Sequence, residues 1–274
     1  LDAAARARQD PGDVSGKATL GLVLSGGGAR GIAHIGVVDA LRSHGIEPDI
    51  ISGSSTGAII GALTAAGHPT EKMLEFFQKA SPFRLSVVTV RKPGLLDTAK
   101  VVARFREYFP EDAFEALKIR LFITATDVVH ARPKIFESGP LIPAILASCS
   151  MPMVFTPTEV AGRWYVDGGV INNFPVEPLR SRCDVVVGHY ASPLRVMKKA
   201  DLDGVLAVSE RALEVGMYYA SEQKFHECDV MLKCPQLNAY GLFDTRHHRE
   251  IFEIGRRATL DAMDAIQRAL AAVG

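Results

Sequence analysis

The chain has 274 residues, 47% of them hydrophobic, with 31 basic and 31 acidic side chains. That length fills one large core or two small ones without disulfide staples. Balanced charge, with no basic stripe and no interleaving of aromatic and basic residues, argues against a nucleic-acid partner. No run approaches the roughly 18 uninterrupted apolar residues of a membrane-spanning helix.

Residues 1–19 are polar, rich in alanine and arginine, and broken by Pro11-Gly12. They read as a flexible N-terminal arm or a fragment of something longer, and they lack the apolar segment of a signal peptide. The start at Leu1 leaves the true N-terminus open. Residues 20–274 read as one α/β domain, because strand-like and helical segments alternate throughout.

Leu20 to Leu24 is a short apolar strand, and Ser25-Gly26-Gly27-Gly28-Ala29-Arg30-Gly31 is a glycine-rich loop. A helix is expected from Ile32 to Ser43, with Val37, Val38 and Leu41 on its apolar face and Gly45 as its stop. Ile50 and Ile51 belong to a second strand, followed by a helix of small residues from Thr56 to Ala66. Glu71 to Ala80 and Thr98 to Phe109 read as helices. Between them, Ser81 to Leu96 mixes apolar residues with Arg84, Arg91 and Lys92. The stretch 70–110 is therefore a candidate cap or substrate-access element, and its three cations are candidates for meeting a phosphate.

Ile119 to Thr126 reads as a buried strand and Pro140 to Ala147 as a helix. Trp164-Tyr165-Val166 leads into a tight turn at Asp167-Gly168-Gly169. Cys183 to Gly188 has the near-continuous apolar character of a parallel strand. A long helix from Val205 to Lys224, a short strand at Val230–Leu232 and helix over His247 to Leu270 complete the pattern. Cys149, Cys183, Cys228 and Cys234 form no tight C-x-x-C pair and read as reduced thiols, with a Cys228–Cys234 bridge left open for an oxidising compartment.

Gly53-Ser54-Ser55-Thr56-Gly57 is a G-x-S-x-G sequence between an apolar strand and a helix, the setting of a nucleophile elbow. The flanking glycines allow close backbone approach where a Cβ would clash. About 25 residues upstream, Gly26, Gly27 and Gly28 can offer backbone N–H groups at a helix start, where peptide dipoles favour negative charge. A nucleophile paired with oxyanion donors points to acyl transfer.

The base is less directly marked. The histidines are His34, His44, His68, His130, His189, His226, His247 and His248, and none stands in a sequence context that demands catalysis. Asp167, at a strand end with two glycines behind it, presents a carboxylate at a sheet rim. It can accept a serine proton within hydrogen-bond reach, although its ordinary pKa of about 3.9 makes it a weak base unless burial raises it. The same glycines also match the dinucleotide fingerprint Gly26-x-Gly28-x-x-Gly31, with Asp49 about 20 residues on as a ribose partner.

Taken together, Gly26-Gly27-Gly28-Ala29-Arg30-Gly31, Gly53-Ser54-Ser55-Thr56-Gly57 and Asp167-Gly168-Gly169 strongly resemble the patatin-like phospholipase family, in its bacterial form. The similarity runs from about Leu20 to Gly188. The resemblance implies a three-layer α/β/α fold with a mainly parallel central sheet. It implies a Ser–Asp dyad of Ser55 and Asp167 without a catalytic histidine, and an oxyanion hole at Gly26, Gly27 and Gly28. Arg30, Gly53, Gly57, Gly168 and Gly169 would support these, with Ser148 and Asn172 or Asn173 shaping the pocket.

The implied activity is hydrolysis of acyl-lipid esters through an acyl-enzyme, with no metal and no cofactor. Transient peripheral membrane contact and a cytoplasmic or membrane-peripheral location follow as expectations. Acyl transfer to an alcohol by the same dyad, and a non-catalytic lipid-binding role, remain as alternatives.

Overall fold

A computed structural model describes residues 18–79 and 98–274. In chain order the regular elements are β1 (Leu20–Leu24), α1 (Ala33–Ser43), β2 (Ile50–Ser54), α2 (Thr56–Ala65), α3 (Thr70–Lys79), α4 (Thr98–Tyr108), β3 (Arg120–Asp127) and β4 (Arg132–Phe136). These are followed by α5 (Leu141–Ser148), β5 (Thr158–Val160), β6 (Arg163–Asp167), α6 (Gly169–Asn172), α7 (Glu177–Arg180) and β7 (Val185–Tyr190). Last come α8 (Gly204–Glu222), β8 (Val230–Lys233), α9 (His248–Asp261) and α10 (Met263–Ala271). Of the expected arm, residues 1–17 lie outside the described residues, as do 80–97 with Arg84, Arg91 and Lys92. Thr19 is tied down, its N–H and hydroxyl both donating to Asp184 at 2.9 and 2.7 Å.

The sheet is built on five parallel strands in the order β3-β2-β1-β7-β8. Two antiparallel additions border it, of which β4 and β5 were not legible as strands and β6 was. β4 pairs with β3, and the β5–β6 hairpin joins β3 through β6. β4 is almost wholly exposed, so it carries no apolar run and no clean alternation.

Alternation of side chains across β1 divides the core into two. Leu20, Leu22 and Leu24 face a large cluster with α1, α2, α3, α5 and α9, whereas Val23 faces Phe174, Val176, Leu179 and Phe225 on the other side. This is the three-layer α/β/α sandwich, with both faces of the parallel sheet covered.

The two expected helices of the 70–110 stretch are core elements where they are described. Phe76 of α3 packs against its neighbour Phe77 and against Phe105 and Tyr108 of α4, ring centroids 5.1–5.3 Å apart. The expected single helix from His247 is two, α9 and α10, separated at Ala262. α1 and α9 cross in close contact because Gly36 and Gly255 present no side chain there. A Cβ on Gly36 would strike the Phe252 carbonyl oxygen and come within 2.6 Å of the Arg256 nitrogen.

Gly36→Ala should therefore force the two helices apart at a cost of about 1–3 kcal/mol. A urea titration should show a lowered midpoint with unchanged far-ultraviolet dichroism in the native baseline.

Candidate active site

The register of β3 brings the two candidate catalytic residues together. Its Ile123 and Thr124 pair with Gly53 and Ser54 of β2 on one side and with Phe136 and Ile135 of β4 on the other. Further along, Ala125 to Asp127 pair with β4 on that same second side, and with Asp167 to Tyr165 of β6 on the side that β2 had occupied. β2 and β6 thus approach from opposite directions along one flank of β3, and their C-terminal ends meet. Ser55 and Asp167 stand at that junction. Gly168 is in the joint, where a Cβ would lie 2.7 Å from the Ser54 hydroxyl and 2.6 Å from the Thr124 methyl.

Ser55 has φ 52° and ψ −122°, a conformation that L-residues rarely adopt. Such strain costs on the order of 1–3 kcal/mol and persists only where surroundings enforce it. Here the Ser55 N–H donates to the Ser148 hydroxyl at 2.8 Å, and the Ser55 carbonyl accepts from Ala58 and Ile59 at 2.9 and 3.2 Å. The glycines of the pentapeptide let the chain fold onto itself. A Cβ on Gly53 would meet the Gly57 carbonyl carbon at 2.6 Å, and one on Gly57 would meet the Ser25 oxygen at 2.6 Å. The start of α2 therefore packs directly on the end of β1.

The glycine loop turns into a short 3-10 helix over Gly28–Ile32. Its three amides are not equivalent. The Gly26 N–H is taken by Asn173, whose side-chain and backbone oxygens lie at 3.1 and 3.3 Å. The N–H groups of Gly27 and Gly28 have no acceptor among the described residues, and both glycines line the crevice. Gly28 has φ +57°, and a Cβ there would strike the Leu242 carbonyl. The Thr56 hydroxyl donates to the Gly28 carbonyl at 3.0 Å, linking loop to elbow.

Asp167 is held by its backbone. Its N–H donates to Ser150 O at 2.9 Å, and its carbonyl accepts from the Thr126 hydroxyl at 3.0 Å. Its Oδ1 accepts from the Gly169 N–H at 2.8 Å. What was expected as a tight turn after Asp167 is the first turn of α6. Burial raises the Asp167 carboxyl to about 6, against the opposing pull of hydrogen bonds from the Ser55 hydroxyl and the Gly169 N–H. Cys149 borders the same hydroxyl, and its buried thiol is pushed well above its ordinary pKa, so it stays protonated. All four cysteines are free thiols.

The crevice is lined by Gly26 to Gly28, Ser55, Asp167 and Asn173, with apolar walls from Met151, Leu194, Leu213, Met217, Leu242 and Phe243. Met73 of α3, in contrast, belongs to the core. Arg30 is buried at the rim, its Nη2 3.4 Å from Glu214 Oε1 and its Nε without a partner among the described residues. Burial lowers its pKa, with Glu214 opposing. The contribution of α8 was not seen in the sequence. Its Glu210, Leu213, Glu214 and Met217 share one helical face, a spacing that ordinary core packing produces equally well.

No histidine lines the crevice. His34 and His189 are wholly buried behind the loop. Burial lowers His34 to about 4 and His189 well below its ordinary value, so both are neutral. His34 Nε2–H then donates to Ser25 O at 2.8 Å, and its Nδ1 accepts from His189 Nδ1–H at 2.6 Å. Among the others, His68 bonds the Tyr108 carbonyl, His130 pairs with Asp127, and His247 pairs with Asp244. Asp49 also lies away from the site. Its carboxylate accepts from the Leu20 N–H at 2.7 Å, at the start of β1 and at the opposite end of the strand from the glycine loop. A ribose partner belongs at a strand's C-terminal end, so the dinucleotide reading fails on geometry.

A carboxyl whose folded pKa is raised favours the folded state at low pH, and that contribution is lost as pH rises through the folded value. Asp167→Asn should therefore match the unsubstituted protein in stability near pH 4. Above pH 6 it should be more stable by on the order of 2–3 kcal/mol. Denaturant titrations across pH 4–8 read this difference.

Comparison with known proteins agrees with this architecture. Residues 22–180 match the family model described as patatin-like phospholipase. An uncharacterised NTE family protein of Mycobacterium bovis is 37% identical over 162 residues, covering 58% of this chain and 45% of that protein. Lysophospholipase NTE1 of Yarrowia lipolytica is 33% identical over 277 residues, covering 89% of this chain and 19% of that protein. The chain thus spans less than half the length of these relatives. VipD of Legionella pneumophila shares the fold, with a TM-score of 0.55 at 16% identity over 91% of this chain and 67% of that one. With more than half its length matched by the family model, and that match running from β1 through the elbow and Asp167, the chain belongs to the patatin-like phospholipase family.

Proposed function

We propose that the protein hydrolyses acyl-lipid esters, of the phospholipid or lysophospholipid class, through a Ser55–Asp167 dyad. The observation that carries this reading is the meeting of β2 and β6 beside β3, which sets the strained Ser55 against a buried carboxyl with a pKa near neutrality. The family membership and the lysophospholipase name of a relative support the substrate class.

In the first half-reaction Ser55 Oγ attacks the ester carbonyl carbon, and its proton passes to the Asp167 carboxylate. The carbonyl oxygen becomes an oxyanion that accepts from the N–H groups of Gly27 and Gly28. Gly26 acts by bracing the loop against Asn173. Loss of one such donor typically costs about 3 kcal/mol in the transition state. Collapse breaks the bond to the leaving alkoxide, which takes the proton from Asp167. In the second half-reaction water attacks the acyl carbon, gives its proton to Asp167, and Ser55 Oγ leaves and recovers it.

Arg30 is matched by Glu214, which also holds Arg211 at 3.2 Å. Its charge is thereby committed to the wall of the crevice, and it supports the loop more than it clamps a phosphate. Substrate contact is expected to be peripheral. Among the described residues no helix is long and apolar enough to cross a membrane.

A fluorophosphonate should label Ser55, as read by peptide mass spectrometry. Ser55→Ala and Asp167→Asn should each lower ester hydrolysis by about 10³-fold or more. Full activity in folded Asp167→Asn would remove the dyad, and transfer of the acyl group to an added alcohol in preference to water would make the protein an acyltransferase.

The base works only when ionised, so kcat/KM should rise with pH through about 6 and level off above it. An acid limb near 4 would mean that Asp167 is not the group titrating.

Asn173→Ala should leave the Gly26 N–H with only the longer bond to the backbone carbonyl of residue 173 and loosen the loop. It should lower kcat by about tenfold or more with little change in KM, because the lost support bears on the oxyanion and not on ground-state binding. Steady-state kinetics on a soluble short-chain ester separate the two effects.

A further inference from the structure

Two apolar prominences stand on either side of the crevice, at the edge of the sheet where the parallel strands end. On one side, β3 runs three residues past Thr124, the partner of Ser54, to Asp127. At a strand rise of roughly 3.3 Å per residue, the β3–β4 turn therefore lies about 10 Å beyond the end of β2. The turn exposes Val128 and Val129, the latter 68% accessible. The Val128 N–H donates to the Trp164 carbonyl at 3.1 Å, which ties this turn to β6. Trp164 is the chain's one tryptophan and is 53% exposed.

On the other side, the segment after β7 lines the crevice at Ser192 to Leu194 and then presents Val196, which is 99% exposed. The first turn of α8, about one turn ahead of the face that lines the crevice, exposes Val205 at 85% and Leu206 at 64%. Each of these side chains leaves about half or more of its surface open to solvent. Exposed apolar surface grouped around one opening marks an interaction site.

Charge identifies the partner. Around the hairpins the cations point outward while their shared counter-ion is hidden. Arg132 and Arg163 stand 3.8 and 3.5 Å from Asp127, whose side chain is only 1% exposed. Lys134 adds a third cation on β4, with Glu159 of β5 as the acid facing Trp164 of β6. Beside Val196 stand Arg195, Lys198 and Lys199, against Asp201 and Asp203. A neutral chain thus carries its positive excess next to its exposed apolar tips. A tryptophan level with exposed valines and flanked by arginines suits the headgroup layer of a bilayer.

We propose that these two prominences dock the protein on an anionic lipid surface, with the crevice between them facing the bilayer. The biological sense of this docking rests on the lipid-ester reading, but the docking itself is measurable without catalysis. Ser55→Ala protein is titrated with vesicles of phosphatidylcholine alone and of phosphatidylcholine mixed with phosphatidylglycerol. Trp164 emission should shift to the blue and the protein should co-sediment with the mixed vesicles, more weakly with the neutral ones, and less at high salt. In that background, Val128→Asp with Val129→Asp, and separately Val205→Asp with Leu206→Asp, should weaken partition by about tenfold or more. With Ser55 intact, both double variants should hydrolyse a soluble short-chain ester at the unsubstituted rate, which also shows that they fold.

Absence of both blue shift and co-sedimentation in the starting protein would overturn the proposal. So would undiminished vesicle binding in both double variants, or self-association in solution that the aspartates abolish. Ester hydrolysis without vesicle binding would remove the docking and leave the proposed function standing. Vesicle binding without hydrolysis would do the reverse.

Discussion

The site depends on the hydrogen-bond ladder of β3. One flank of this strand carries β2 as far as Thr124 and β6 from Ala125 onward. Because one partner is parallel and the other antiparallel, both present their C-terminal ends at the same point. Backbone pairing alone therefore brings residues 112 positions apart in the sequence into one site. A slip of one residue in either register would turn the affected side chains to the opposite face of the sheet.

Close approach at that junction is possible only without side chains. Gly168 fits between Ser54 and Thr124, Gly57 fits against the end of β1, and Gly28 fits against Leu242. The same closeness excludes water from Asp167 and raises its pKa. Burial thus raises the basicity of the carboxylate on which the proposed dyad relies, and it is also a local loss of stability. The braces around it answer that loss. Ser148 and Ser150 hold the elbow and the Asp167 backbone, Thr126 holds the Asp167 carbonyl, and Asn173 holds the glycine loop.

The buried histidines show how a residue type associated with catalysis is used for support. His34 and His189 are the two whose surroundings perturb them most, yet both face the back of the loop, where they complete a chain of neutral hydrogen bonds ending on Ser25. Cys234 lies 3.4 Å from the remaining His189 nitrogen and completes that chain as an S–H donor. Perturbation follows from burial, and burial alone does not mark a reactive group.

What could be read along the chain was whatever local chemistry dictates. The strands β1 and β3, the helices flanking the elbow, and the α/β layering follow from apolar runs, small-residue helices and glycine stops. The three motifs named the family because each carries its constraint within a few residues. β4 and β5 were not legible, since strands that are exposed and paired at an edge have no buried pattern to betray them. Nor was the role of α8, whose crevice-lining face has the same spacing as a core face. The separation of Gly26 from Gly27 and Gly28 needed Asn173, 147 residues away from the loop it braces. The raised pKa of Asp167 needed the packing around it. The sequence determines which residues can turn, pack and react. Only the tertiary structure decides which of them are desolvated and which share one opening, because burial and proximity are properties of the assembled sheet.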